Sequence, residues 1–150
     1  MPSPLSLPYL ARPPRQAHDR PPLLVLLHGR GSNEEDLFGF AKALDPRLYV
    51  VSARAPEVLG PDAYAWFPME FTSRGPVVRS EHVEASRDRL LRFIREAIDL
   101  AGTEAERTYL LGFSQGAMMA LTVTLTQPNA VAGAIALSGR ILPEVRARLA

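Results

Sequence analysis

The sequence predicts an α/β fold: a mostly parallel sheet with flanking helices. Three observations carry this. Short candidate strands recur along the chain at 23–27, 48–51, 107–111 and 131–137. Segments of helical periodicity lie between them, and Gly, Pro, Ser and Asn gather at the junctions. Strand and helix therefore alternate, which favours parallel pairing through right-handed crossovers.

Residues 1–22 contain Pro2, Pro4, Pro8, Pro13, Pro14, Pro21 and Pro22, half of the 14 prolines, so this segment is extended and supplies at most an edge strand. The remainder, 23–150, reads as one domain. Its opening run, Leu23-Leu24-Val25-Leu26-Leu27, has no polar alternation, as expected of a strand covered on both faces. Ser32 or Asn33 caps the helix that follows, and Glu34, Glu35 and Asp36 in its first turn suit the positive end of the helix dipole. After a second strand at 48–51 comes a long loop, 52–79, rich in Pro, Gly and aromatics; loops of that length are usually functional or disordered. A helix spans 81–101, with Val83, Leu90, Leu91, Ile94, Ala97, Ile98 and Ala101 at helical spacing, Ser80 as N-cap and Gly102 as its stop. The third strand, 107–111, leads through 112–116 into a helix that Pro128 ends. A fourth strand covers 131–137, and Pro143 starts a last helix.

Composition narrows the function. A net charge of +1 and scattered basic residues argue against nucleic acid as a partner. With no cysteine there is no disulfide framework, thiolate metal site or cysteine nucleophile, which fits a cytoplasmic setting. The first residues do not read as a signal peptide, and no apolar stretch approaches the roughly 18 residues that span a bilayer. His18, His28 and His82 are isolated, so no metal cluster is expected.

The chemistry is carried by Gly112-Phe113-Ser114-Gln115-Gly116, a G-x-S-x-G pattern between a strand and a helix. A serine hydroxyl is a weak nucleophile that must project where a base and a carbonyl both reach it. A sharp strand-to-helix turn does this, with glycines allowing strand and helix to close up. It also leaves the Gln115 N–H at a helix start, aimed at developing negative charge. The bare pattern arises by chance in roughly one chain in twenty of this length, and its placement between strand and helix lowers that several-fold. The alternative is a tight turn with an incidental serine. A second element, His28-Gly29-Arg30-Gly31, follows the first core strand and suits a loop donating a second N–H to an oxyanion. A phosphate-cradling loop is the rival, weakened by the lack of a third glycine or a Walker lysine. His28 reads as a packed structural histidine more readily than as a base, and His18 and His82 as surface residues.

Together with Ala53-Arg54-Ala55-Pro56, Ala65-Trp66-Phe67 and Ser114-Gln115-Gly116-Ala117-Met118-Met119-Ala120, these motifs resemble the phospholipase/carboxylesterase family over about residues 5–140. The resemblance implies an α/β-hydrolase fold, no cofactor, and hydrolysis of small to medium acyl esters or thioesters as small-molecule substrates. It implies Ser114 as nucleophile, the N–H groups of Arg30 and Gln115 as oxyanion hole, and Trp66 and Phe67 as acyl-pocket lining, for which core packing is the alternative. The Arg30 guanidinium either selects anionic substrates or points to solvent.

In this fold the acid and the base of the triad follow the serine, in that order. After Ser114 the chain holds no Asp and no His, and its one acid there is Glu144. The expectation is an incomplete α/β-hydrolase domain whose last strands are missing. The alternative function is an acyl-ligand-binding module without the triad. A sheet edge left after 131–137 is an association liability that permits a homo-oligomer.

Overall fold

The computed structural model describes residues 4–149. Its main sheet has five strands, four of them parallel and one an antiparallel edge strand. Strand β2 (Leu23–Leu27) lies at the centre and pairs in parallel with β3 (Tyr49–Ala53) and β8 (Thr108–Phe113). On the far side β8 pairs in parallel with β9 (Gly133–Leu137). The proline-rich segment supplies the edge strand β1 (Tyr9–Arg12), antiparallel to β3. Its prolines flank the strand and so cost the ladder no donor.

All five β2 residues are buried because the strand is covered from both sides. Leu24 and Leu26 face one cluster with Val50 and Ala41, beneath α1 (Glu34–Phe38). Leu23, Val25 and Leu27 face the larger cluster, beneath α2 (Ser80–Ala101) and α3 (Gln115–Thr126). Asn33 is the N-cap of α1, its side chain accepting from the Glu35 N–H at 2.9 Å. Gly102, at φ 66°, ends α2. The last helix, α4 (Pro143–Arg148), begins on its proline.

The structure departs from the sequence reading in three places. The stretch 52–79 is not one irregular loop. Its first residues, Ser52 and Ala53, complete β3, and two small antiparallel hairpins follow. These are β4 (Glu57–Gly60) with β5 (Ala63–Ala65), and β6 (Glu70–Thr72) with β7 (Gly75–Val77). Strands of three or four residues are too short to show an alternation. Second, the N-cap of α2 is Arg79, without a side-chain bond, and Ser80 is already helical. Third, the fourth strand begins at Gly133 and not at Val131; on it Ile135 and Leu137 are 49% and 46% exposed. Helix α3 packs against β9, while Ile135 and Leu137 remain about half exposed among the described residues.

Candidate active site

Three pieces of backbone converge at the C-terminal end of β2 and β8. The first is the turn from β8 to α3. Ser114 has φ 54° and ψ −114°, a conformation that a side chain disfavours and that persists only where its surroundings fix it. The Ser114 N–H donates to the Leu137 carbonyl at 2.8 Å, and its carbonyl accepts from the Met118 N–H at 3.1 Å. Close packing explains the two flanking glycines. A Cβ on Gly112 would collide with the Gly116 carbonyl, and one on Gly116 with the carbonyls of Leu27 and His28. Strand, turn and helix therefore meet at backbone contact, and the serine projects from the crossing. Its hydroxyl has no hydrogen-bond partner among the described residues.

The second piece is the loop from β2 to α1. Gly29 abuts the serine: a Cβ there would lie 3.5 Å from Ser114 Cβ and 3.3 Å from the Phe113 carbonyl. The next N–H, of Arg30, has no acceptor among the described residues. Beyond it the loop is tied down. The Ser32 N–H donates to the Gly29 carbonyl at 3.1 Å and the Gly31 N–H to the Tyr64 carbonyl at 2.8 Å. The Arg30 side chain is exposed and stacks its guanidinium 5.1 Å from the centre of the Phe71 ring. It forms no ion pair among the described residues.

The third piece is β5 and the two residues after it. Trp66 and Phe67 lie in the large core cluster, 1% and 0% exposed. Trp66 donates its indole N–H to the His28 carbonyl at 2.8 Å. Gln115 is as deeply buried, and its side chain holds this segment to α3. Its Oε1 accepts from the Trp66 N–H at 2.7 Å, and its Nε2 donates to the Phe67 carbonyl at 3.0 Å. The Gln115 N–H, in the first turn of α3, has no intrahelical acceptor. Two uncommitted N–H groups, of Arg30 and Gln115, thus flank the serine.

His28 is buried and fully engaged. Nδ1 donates to the Gly29 carbonyl at 2.8 Å while Nε2 accepts from the Ala55 N–H at 3.0 Å. Burial lowers its pKa, outweighing the pull of Glu34 and Asp36, so the ring is neutral. With both nitrogens spoken for it is a fastening of the loop, not a base. His18 and His82 lie on the surface. No group of three metal-ligating side chains occurs among the described residues, and no helix there is long and apolar enough to cross a membrane.

Sequence reasoning missed three contributors. The Gln115 amide was read only for its backbone. Gly139 packs against Ala117 and against the Ser114 carbonyl, where a Cβ would approach to 3.1 Å. Glu34 and Arg54 form a bidentate pair with distances of 2.6 and 2.8 Å. The neighbouring guanidinium holds the Glu34 carboxyl below the usual carboxylate range. Only an unexplained Arg54 within Ala53-Arg54-Ala55-Pro56 hinted at the last.

Comparison with known proteins gives a consistent picture. The family model described as phospholipase/carboxylesterase matches residues 13–148. The esterase YpfH of Escherichia coli is 32% identical over 86% of this chain. The putative hydrolase MhqD of Bacillus subtilis is 30% identical over 75% of it. Among solved structures, esterase PE8 superposes with a TM-score of 0.77 at 34% identity over 93% of the chain. A Bacillus cereus carboxylesterase gives 0.72 at 26% identity over 85%. The chain spans 58% of the length of YpfH, 54% of MhqD, and 66% and 57% of the two solved structures.

Proposed function

The chain belongs to the phospholipase/carboxylesterase family, and from that premise we propose that Ser114 is the nucleophile of a hydrolase acting on carboxylic esters or thioesters of small to medium acyl groups. The observation that carries the reading is the strained Ser114 between two uncommitted N–H groups, those of Arg30 and Gln115. Attack by Oγ on the acyl carbon forms a tetrahedral intermediate whose oxyanion these two donors receive. Collapse expels the alcohol or thiol and leaves an acyl-enzyme at Ser114, which water hydrolyses. Trp66 and Phe67 support the site from within the core, their main chain held to α3 by the Gln115 amide. No step calls for a cofactor.

An activated serine also needs a base, and His28 is committed elsewhere. Residues 115–150 contain neither His nor Asp. The esterase activity is therefore proposed for a polypeptide of family length.

A fluorophosphonate probe tests the assignment. In the complete gene product it should label Ser114 and no other serine, as read by peptide mass spectrometry. Ser114→Ala should abolish labelling and lower kcat by about 10⁴ or more, as for removal of a triad nucleophile. Labelling that survives the substitution would place the nucleophile elsewhere.

A further inference from the structure

Two clamps fix the loop that carries the Arg30 N–H, and one side chain joins them. The first clamp is main chain: Gly31 N–H to the Tyr64 carbonyl at 2.8 Å, and Tyr64 N–H to the Ser32 carbonyl at 2.9 Å. The second lies at the first residue of α1, just past the loop, where Glu34 takes both oxygens to Arg54. Arg54 also lays its guanidinium 4.6 Å from the centre of the Tyr64 ring. One planar cation therefore holds the far end of the loop through Glu34 and the strand beneath it through Tyr64. Strand β5 continues to Trp66, whose N–H is held by Gln115. The two segments bearing the uncommitted N–H groups are thus connected through Tyr64 and Trp66, with Arg54 at the junction.

We propose that Arg54 is a positioning residue for the oxyanion site, setting the Arg30 N–H through Glu34 and Tyr64 without touching substrate. This rests on the reading of Ser114 and its two donors given above. The geometry favours an Arg in particular. A bidentate carboxylate bond and a stacking face on one rigid plane are available to guanidinium and not to ammonium. A site whose donors must meet an oxyanion within a few tenths of an ångström loses rate when the loop bearing one of them drifts.

The test compares Arg54→Met, Arg54→Lys and the surface control Arg92→Met in the complete gene product, with a neutral ester as substrate. Arg92 pairs with Glu96 on the exposed side of α2 and reports the cost of losing an ordinary ion pair. Arg54→Met should lower kcat about tenfold, with KM within about twofold, because an oxyanion donor acts on the transition state. Phosphonylation of Ser114 should slow to the same degree. Arg54→Lys should recover about threefold of that loss, keeping the charge but not the fork. An unchanged kcat with a lowered melting temperature would make Arg54 purely structural and overturn the proposal. A raised KM at unchanged kcat would do so too, by making Arg54 a substrate contact. If Arg54→Met does not fold, Tyr64→Leu keeps both main-chain bonds, removes the ring under the guanidinium, and should give the same fall in kcat. Ser114→Ala in parallel separates the two readings: retained activity there sinks the nucleophile assignment, whatever Arg54 does.

Discussion

At the scale of single residues, Ser114 carries backbone strain that any β-carbon shares. Its φ of 54° with ψ of −114° is accessible to glycine at little cost, whereas a side chain there costs on the order of 1–3 kcal/mol. Ser114→Gly should therefore raise the melting temperature relative to Ser114→Ala, although both remove the hydroxyl. Equal melts would show that the surroundings do not impose the strain. Arg30 separates backbone from side chain in a different way. If its N–H is the oxyanion donor, Arg30→Leu should leave kcat for a neutral ester within a few-fold. Arg30→Pro should cost about 10²-fold, the usual loss for one donor. Comparable losses from both substitutions would make the guanidinium the working group. A loss in Arg30→Leu confined to anionic esters would assign it to substrate selection.

At the scale of elements, the junction of β2 and α1 is built from groups that protonation disturbs. Burial depresses the His28 pKa, so the unfolded chain takes up a proton at His28 before the folded one does. Its contribution is fully present above about 6.5, the ordinary value, and is lost as pH falls from there toward the depressed folded value. Glu34, depressed chiefly by the hydrogen bond from Arg54, behaves alike in a lower window, losing its contribution as pH falls below about 4.5. Thermal melts should begin to drop below pH 6.5, and His28→Gln should lack that first decline while keeping the second. An identical early decline in the variant would move its origin away from this junction. The same junction shows what local sequence reveals. The cap at Asn33, the five-residue apolar strand and the glycines of the elbow are short-range patterns, and all are legible. Gln115 and Arg54 act on partners 49 and 20 residues away, and no local pattern marks that. The hairpins of 57–77 leave no local mark because their strands, three or four residues long, are too short to show an alternation.

At the scale of the whole molecule, the two edges of the sheet differ among the described residues. Toward β1 the edge is short and antiparallel, with Arg12 anchored by carbonyls of the segment 41–48. Toward β9 the last strand and one face of β8 leave Tyr109, Phe113, Ile135 and Leu137 between 41% and 49% exposed. No charged side chain lies between Arg107 and Arg140, so this side has none of the charges that keep natural sheet edges apart. Apolar area already in contact with water in the folded state cannot be newly hydrated on unfolding. The denaturant slope and the heat-capacity increment both scale with newly exposed surface. Residues 1–150 in monomeric form should accordingly unfold with a shallower urea dependence and a smaller heat-capacity step than a closed domain of equal length. A slope matching that of a closed domain would mean that the β9 face is covered in solution, and mixing experiments at several protein concentrations would show whether a second copy covers it.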